Sequence, residues 1–258
     1  MPGSSSQPNP DAVVVEHLSK TFHIRHMKSL KRAMFGRGTA PTTPLLALDD
    51  VSFRIPHGQT VAVVGRNGSG KSTLLGIIAR VYKPSKGSAA VFGPDSRRPR
   101  IAPLLALGAG FHRDLTGLEN IEFYGAILGL TPREINEKRP QILAFAELEE
   151  KADTVIRGWN DGARLRLGFA IAVHTDPDLL LVDEVLAVGD ESFQNKCYRL
   201  IDELQAAGKT ILFVTHDLTV AERTAGRVLW INAGKLVMDG SPAEVLTAYR
   251  QSSEEPAP

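Results

Sequence analysis

The feature that most constrains this chain is a glycine-rich segment between an apolar run and a helix-like stretch. It fits the pattern G-x-x-x-x-G-K-[ST], with the residues Gly65, Arg66, Asn67, Gly68, Ser69, Gly70, Lys71 and Ser72. The apolar residues 60–64 precede it, and residues 73–79 follow with a helical pattern. A strand, a glycine-rich loop and a helix in this order predict a phosphate-binding loop in an α/β domain.

Each residue type in this segment suits a polyphosphate ligand. Glycines allow backbone N–H groups to point inward, and the N-terminus of the following helix favours an anion. Lys71 can reach the β- and γ-phosphates as a compact charge, and Ser72 offers a hydroxyl group to Mg²⁺. Thr73 extends the candidate binding segment by one residue. The segment therefore predicts binding of a nucleoside triphosphate with Mg²⁺.

Composition excludes several classes of protein. The 258 residues are 43% hydrophobic and 23% charged, which is typical of a globular domain. A net charge of +1 gives no support for a nucleic-acid partner, and a single cysteine rules out an internal disulfide framework. No apolar run is long enough to span a bilayer. Polar, proline-containing ends predict a disordered leader at 1–11 and a disordered tail at 251–258.

Apolar patterns along the chain predict a sheet. The runs 178–183 and 210–216 are nearly continuous, which is typical of parallel strands covered on both faces. Further strands are predicted at 13–17 and 51–55, and a hairpin at 228–238. With the phosphate-binding loop, they predict an α/β P-loop NTPase core: a mostly parallel sheet with flanking helices and an antiparallel β subdomain.

The middle of the chain has a different pattern. Residues 118–174 are mostly helical in character, and a capping box beginning at Thr131 starts a second helix there. Pro140 is expected to kink or end that helix. We therefore predict a helical lobe at about 100–175, inserted between strands of the core.

A basic segment at 23–37 follows the first strand. Its apolar positions, among them Ile24 and Met27, fall at helical spacing between lysines and arginines. Such an amphipathic helix can lie on an anionic membrane surface or pack on its own domain. Residues 36–44 are then predicted to form a loop.

Polar residues end the two buried strands. Asp183 comes at the carboxyl end of its strand, where α/β proteins bind ligands, and can hold Mg²⁺. Glu184 follows directly and is placed to polarise an attacking water molecule. His216 ends the other strand and can contact the γ-phosphate region.

The order of these motifs resembles the nucleotide-binding subunit of an ABC transporter, over about residues 12–250. The stretch 184–190 with Phe193 and Gln194, and the stretch 107–112, resemble the branch that exports O-antigen, capsule, teichoic acid or galactan. The resemblance implies an ATPase that works as a homodimer with multi-span membrane permease subunits. It also implies a peripheral location at the cytoplasmic face of the cell membrane, with membrane contact through the permease and residues 23–37.

The resemblance also implies roles for individual residues. Glu184 would be the general base and His216 the switch histidine, with Lys71 acting on the phosphates. Asp190 would be the acid of a loop that contacts the partner subunit, and Phe22 is the candidate for stacking on adenine.

Two places depart from the family pattern. The signature turn falls at 159–163, where Asn160 replaces serine, Asp161 replaces a small neutral residue and Gly162 is retained. Asn160 and Gly162 would contact the nucleotide of the opposite subunit, whereas Asp161 would bring negative charge toward it. Ala106 stands where Glu or Gln is usual. The hypothesis is that ATP binding is intact but dimer closure and hydrolysis are weakened. A subunit with little turnover and a non-transport ABC ATPase remain the alternatives.

Overall fold

The computed structural model describes residues 9–25, 42–94, 98–105, 110–183 and 190–254. Its strands are β1 (Asp11–Arg25), β2 (Thr42–Pro56), β3 (Thr60–Val64), β4 (Lys86–Val91), β5 (Ile101–Leu104), β6 (Leu179–Val182), β7 (Thr210–Val214), β8 (Arg227–Asn232) and β9 (Lys235–Gly240). Its helices are α1 (Lys71–Ile78), α2 (Gly117–Ile127), α3 (Pro132–Ala146), α4 (Asp161–Val173), α5 (Glu191–Ala206), α6 (Leu218–Thr224) and α7 (Pro242–Glu254). Short 3₁₀ turns lie at Glu149–Lys151 and Ile156–Gly158.

The strands form two sheets, as the apolar patterns predict. The larger sheet has the order β5-β6-β7-β3-β8-β9, in which only the β8–β9 pair is antiparallel. The smaller sheet, β2-β1-β4, is antiparallel. Strands β3, β6 and β7 are buried along their whole length, because both faces of the larger sheet are covered.

Two apolar clusters hold the sheets and helices together. Val61 and Val63 of β3 belong to a cluster with the smaller sheet and α1. Ala62 and Val64, on the opposite face, belong to a cluster with the helical lobe and α5. Alternate residues of one strand therefore contribute to both cores, which fixes β3 and the loop that follows it.

The lobe helices α2 and α3 both begin with capping boxes. Thr131 accepts a hydrogen bond from the Glu134 backbone, and the Glu134 carboxylate accepts one from the Thr131 backbone at 2.8 Å. These hydrogen bonds from Thr131, together with one from Arg100 at 2.6 Å, lower the pKa of Glu134 to about 2. Of the two outcomes expected for Pro140, an end to α3 is wrong, because the helix continues to Ala146, and a kink stays a prediction. Pro140 is exposed, and so is residue 136, so the carbonyl that loses its helical partner lies at the solvent face.

Several predicted boundaries are also corrected. Residues 23–25 are strand rather than helix, and residues 42–44 are strand rather than loop, because Ile24 pairs with Thr43 across β1 and β2. Pairing with a distant strand overrides the local helical spacing of these residues. The rest of the predicted basic helix falls within residues 26–41, which lie outside the described residues. The predicted lobe at about 100–175 includes β5, which belongs to the larger sheet. At the predicted disordered ends, β1 already includes Asp11 and α7 continues to Glu254.

Candidate functional site

The predicted phosphate-binding loop connects β3 to α1, as its sequence context indicates. Gly65 and Gly70 have positive φ values of 151° and 110°. A Cβ at residue 65 would lie 2.1 Å from the carbonyl oxygen of Ile231, and one at residue 70 would lie 2.5 Å from that of Ala47. Both positions therefore require glycine for conformation and for space.

Polar contacts hold the loop in place. Lys71 is 7% exposed, and its Nζ donates to the carbonyl oxygens of Gly65 at 2.6 Å and Arg66 at 3.0 Å. The Ser69 carbonyl oxygen accepts a hydrogen bond from the Gly234 N–H at 2.9 Å, in the turn between β8 and β9. The Ser69 Oγ is buried and has no hydrogen-bond partner within the described part of the chain. The ammonium group is thus held inside the curve of the loop.

A cavity of about 480 Å³ lies beside the loop. Phe22, Asp183 and residues 67–73 line it, so the structure brings together most of the predicted nucleotide and metal residues. The other lining residues are Leu45, Leu46, Ala47 and Val214. Ser72 and Asp183 supply a hydroxyl and a carboxylate oxygen at this cavity, which are ligands that suit Mg²⁺. Glu184 and Ala106 lie outside the described residues.

Phe22 lies on β1 opposite Leu45 of β2. The Phe22 ring is half-buried, whereas Leu45 and Leu46 are 51% and 54% exposed. The sequence patterns identify Phe22 but miss the two leucines, because their position depends on the β1–β2 register. Together the three side chains add apolar surface to the lining of the cavity.

His216 follows β7 and is exposed. It does not line the cavity, although Val214, two residues earlier, does. The next residue, Asp217, caps α6 by accepting hydrogen bonds from Thr219 N and Val220 N. His216 therefore lies at the carboxyl edge of the sheet, on the same edge as Asp183.

The predicted signature residues lie at a different place, a cleft of about 370 Å³. Asn160, Gly162 and Asp190 line it, and none of them lines the cavity beside the phosphate-binding loop. Asn160 caps α4: its Oδ1 accepts a hydrogen bond from Ala163 N at 2.8 Å. The cap uses the side-chain oxygen and not the amide nitrogen.

Asp161 is paired within the chain. Its carboxylate contacts the guanidinium of Arg164, which also donates to the Trp159 carbonyl oxygen at 2.7 Å. The Asp161 side chain is 87% exposed, and that of Arg164 is 20% exposed. Sequence analysis missed Arg164, although aspartate and arginine three residues apart on a helix are a recognisable signal.

Asp190 belongs to an ion cluster that connects the lobe to the core. The Arg166 guanidinium lies 2.9 Å from the carboxylate of Glu147, which follows α3, and 2.5 Å from that of Asp190. Lys196 of α5 also pairs with Glu147. Asp190 caps α5 by accepting a hydrogen bond from Phe193 N at 3.0 Å. That bond and the Arg166 charge lower the pKa of Asp190. The hydrogen bond from Lys196 is the main cause of the lowered pKa of Glu147.

Comparisons with known proteins agree with this geometry. The family model described as "ABC transporter" matches residues 48–187. An O-antigen export system ATP-binding protein of Klebsiella pneumoniae is 44% identical over 80% of this chain and 82% of its own length. A teichoic acids export ATP-binding protein of Listeria innocua is 37% identical over 92% of this chain and 69% of its length.

Length differs among the relatives. An O-antigen export system ATP-binding protein of Myxococcus xanthus is 40% identical over 94% of this chain, which spans 56% of that relative. No helix in the described ranges is long and apolar enough to cross a membrane.

Solved structures share the fold. An ATP-binding cassette dimer bound to ADP and phosphate superposes with a TM-score of 0.69 at 24% identity, covering 89% of this chain and 98% of its own. An ATP-binding subunit of an ABC transporter gives a TM-score of 0.72 at 23% identity, covering 93% of both chains. From the matched family model and the Klebsiella pneumoniae relative at 44% identity, we conclude that the chain belongs to the ABC transporter family, as an ATP-binding protein.

Proposed function

We propose that the chain is the ATP-hydrolysing subunit of an ABC transporter that exports a lipid-linked polysaccharide of the O-antigen, capsule, teichoic acid or galactan type. One observation carries the ATPase part: Lys71, Ser72 and Asp183 converge on one cavity at the carboxyl edge of the sheet. The polysaccharide part is supported by the names of relatives that are 37–44% identical.

The residues have separate tasks in this proposal. The loop N–H groups and the Lys71 ammonium hold the phosphates. Ser72 and Asp183 would hold Mg²⁺, which would supply positive charge against the developing charge of the phosphates. Glu184 takes a proton from water as the water oxygen bonds to the γ-phosphorus and the bond to the β–γ bridging oxygen breaks. His216 orients the γ-phosphate.

A second copy of the chain would complete the site. Asn160 and Gly162 line a cleft separate from the nucleotide cavity, so one chain does not bring both sets of residues to the same ligand. In a head-to-tail homodimer, each α4 N-terminus would face the other chain's phosphate-binding loop. The N–H groups at a helix N-terminus favour the anion there.

A third cavity, of about 520 Å³, supports a contact with the permease. It lies between the end of α1 and the end of α2 and carries Arg80 and Arg98, together with Arg100, which is paired with Glu134. Ile127, 58% exposed, adds an apolar surface. Apolar surface flanked by guanidinium groups suits a short amphipathic helix with acidic side chains. We assign it to a cytoplasmic helix of the membrane subunit, which would place the chain at the cytoplasmic face of the membrane. Direct membrane contact through residues 23–37 stays a prediction.

The alternatives make different predictions for turnover. A subunit with little turnover would bind ATP and release phosphate slowly, and Asp161 is the observation that favours it. The Arg164 guanidinium, however, offsets the Asp161 charge within the same chain. A non-transport ABC ATPase would release phosphate without binding a membrane subunit.

Reconstitution tests the proposal. The chain should co-purify with a multi-span permease of the polysaccharide-export type from the same organism, and vesicles carrying both should move a lipid-linked glycan across the membrane when MgATP is supplied. Lys71→Ala should abolish transfer, and Arg80→Glu with Arg98→Glu should weaken co-purification. Arg133→Glu is the matched control, because the Arg133 side chain is 88% exposed on α3 and does not line this third cavity. Phosphate release without glycan transfer or permease binding would contradict the export proposal.

A further inference from the structure

Tyr82 and Lys20, both in the described part of the chain, contact the Phe22 ring. Tyr82 meets it edge-on, with ring centroids 5.5 Å apart and an interplanar angle of 86°. The Lys20 Nζ lies over the ring, 4.8 Å from its centroid, and donates a hydrogen bond to the Lys83 carbonyl oxygen at 2.8 Å. Both contacts therefore depend on residues 82–83, which follow α1.

The same two residues are attached to α1. The N–H groups of Val81 and Tyr82 donate to the Gly76 carbonyl oxygen at 2.8 and 3.1 Å. The Tyr82 ring packs against the helix at Gly76, where an added Cβ would lie 2.7 Å from the ring. Because α1 begins at Lys71, a short path of direct contacts connects the phosphate-binding loop to the Phe22 ring.

Among the described strands, only β2 pairs with the part of β1 that holds Phe22. Pairing between β1 and β4 ends at Ser19, whereas pairing between β1 and β2 continues to Arg25. A two-stranded ribbon is marginally stable without further packing. Tyr82 supplies packing at the position where the ribbon enters the nucleotide cavity.

We propose that Tyr82 is a positioning residue, which holds the Phe22 ring at a fixed distance from the phosphate-binding loop so that the ring can receive a nucleobase. This inference rests on the proposed ATP binding with Phe22 as the base-contacting residue. An edge-to-face ring pair is directional, so the Tyr82 edge sets the angle of Phe22 as well as its place. Lys20 adds a cation–π contact that is anchored on the same segment.

The proposal predicts an effect that depends on the base. Titration calorimetry with MgATP and with magnesium tripolyphosphate measures the ratio of the two affinities, which reports the contribution of the nucleoside. Tyr82→Leu should weaken MgATP binding roughly three- to tenfold, the range for losing one directional ring contact. Tripolyphosphate affinity should stay at the wild-type value, and Tyr82→Phe should keep both affinities.

Three further variants separate positioning from stability. Tyr249 forms another edge-to-face pair, with Trp230, in which the ring centroids are 5.5 Å apart and the interplanar angle is 84°. This pair lies outside the nucleotide cavity, so Tyr249→Leu should leave the affinity ratio unchanged. Phe22→Leu should lower the ratio, and the double variant Phe22→Leu/Tyr82→Leu should be no weaker than Phe22→Leu alone.

The affinity ratios distinguish failure of the positioning role of Tyr82 from failure of the proposed ATPase function. An unchanged ratio in Tyr82→Leu, or in Phe22→Leu, overturns the positioning role. An equal loss of both ligands in Tyr82→Leu also overturns it, since that pattern indicates a damaged phosphate-binding loop. If the wild-type chain binds neither ligand, the proposed ATPase function fails and the positioning role fails with it.

Discussion

Removing Arg164 should weaken the ATP-dependent dimer, because it leaves the Asp161 carboxylate at the signature turn without its ion-pair partner. Arg164 contacts the carboxylate of Asp161 directly and so offsets its charge at the N-terminus of α4. In the proposed head-to-tail dimer this end of the helix faces the polyphosphate of the other chain. Arg164→Gln would leave the Asp161 charge without its guanidinium, and the carboxylate would repel the nucleotide.

The size of the loss in dimer affinity follows from the solvent exposure of the Asp161 side chain. The Asp161 side chain is 87% exposed, so the dielectric constant of water applies. Two unit charges about 4 Å apart in water then repel by about 1 kcal/mol. The dimer holds two such sites, so Arg164→Gln should cost about 2 kcal/mol, or roughly a thirtyfold weaker dimer.

Sedimentation with a slowly hydrolysed ATP analogue measures this dissociation constant. Asp161→Ser should bind at least as tightly as the wild type, and Asp161→Ser/Arg164→Gln should recover most of the loss. Arg157→Gln is the matched control, because it breaks another arginine–aspartate pair of the same lobe, with Asp114. A dimer of wild-type affinity in Arg164→Gln, or no recovery in the double variant, would refute charge compensation.

Three further predictions concern the loop, pH and the ion cluster. Gly70→Ala should abolish ATP binding in calorimetry, because the added Cβ would lie 2.5 Å from a backbone oxygen. In Gly68→Ala the added Cβ would have no atom within 4 Å, so this variant should lose only about 1 kcal/mol of folding stability. The pKa of Glu134 is about 2, below its usual 4.5, so its ionised form stabilises the fold above pH 4.5 and this contribution is lost as the pH falls toward 2. Urea unfolding should therefore show the stability difference between wild type and Glu134→Gln shrinking over that window; a difference that stays constant would contradict the sign. Arg166→Met removes the ion pairs with Glu147 and Asp190 and should lower the midpoint of thermal unfolding by about 5 °C in calorimetry. The control Arg250→Met removes one exposed ion pair, with Glu222, and should lower the midpoint by less than about 2 °C. Equal shifts would contradict a structural role for the ion cluster.

Local sequence accounts for much of the core. The apolar residues 60–64 and 210–214 are buried on both faces, so their continuous hydrophobicity predicts parallel strands directly. The phosphate-binding loop requires particular residues within one short segment, as Gly65 and Gly70 show, and its pattern is therefore visible in the sequence.

Features that depend on distant partners were not predictable in this way. Ile24 fits a helical spacing, but its pairing with Thr43 across the ribbon places it in a strand. Leu45 and Tyr82 approach Phe22 from other elements, so no local pattern indicates them. Arg164 is the exception: its spacing from Asp161 was available in the sequence.

The most direct test of the account is phosphate release from MgATP by the purified chain together with its membrane subunits. We predict MgATP-dependent release that falls to background in Lys71→Ala. Glu184→Gln should also abolish release while keeping nucleotide binding, because the loop and Asp183 remain. Release at the wild-type rate from Lys71→Ala, or no release from the wild type, would contradict the claim that this cavity hydrolyses ATP.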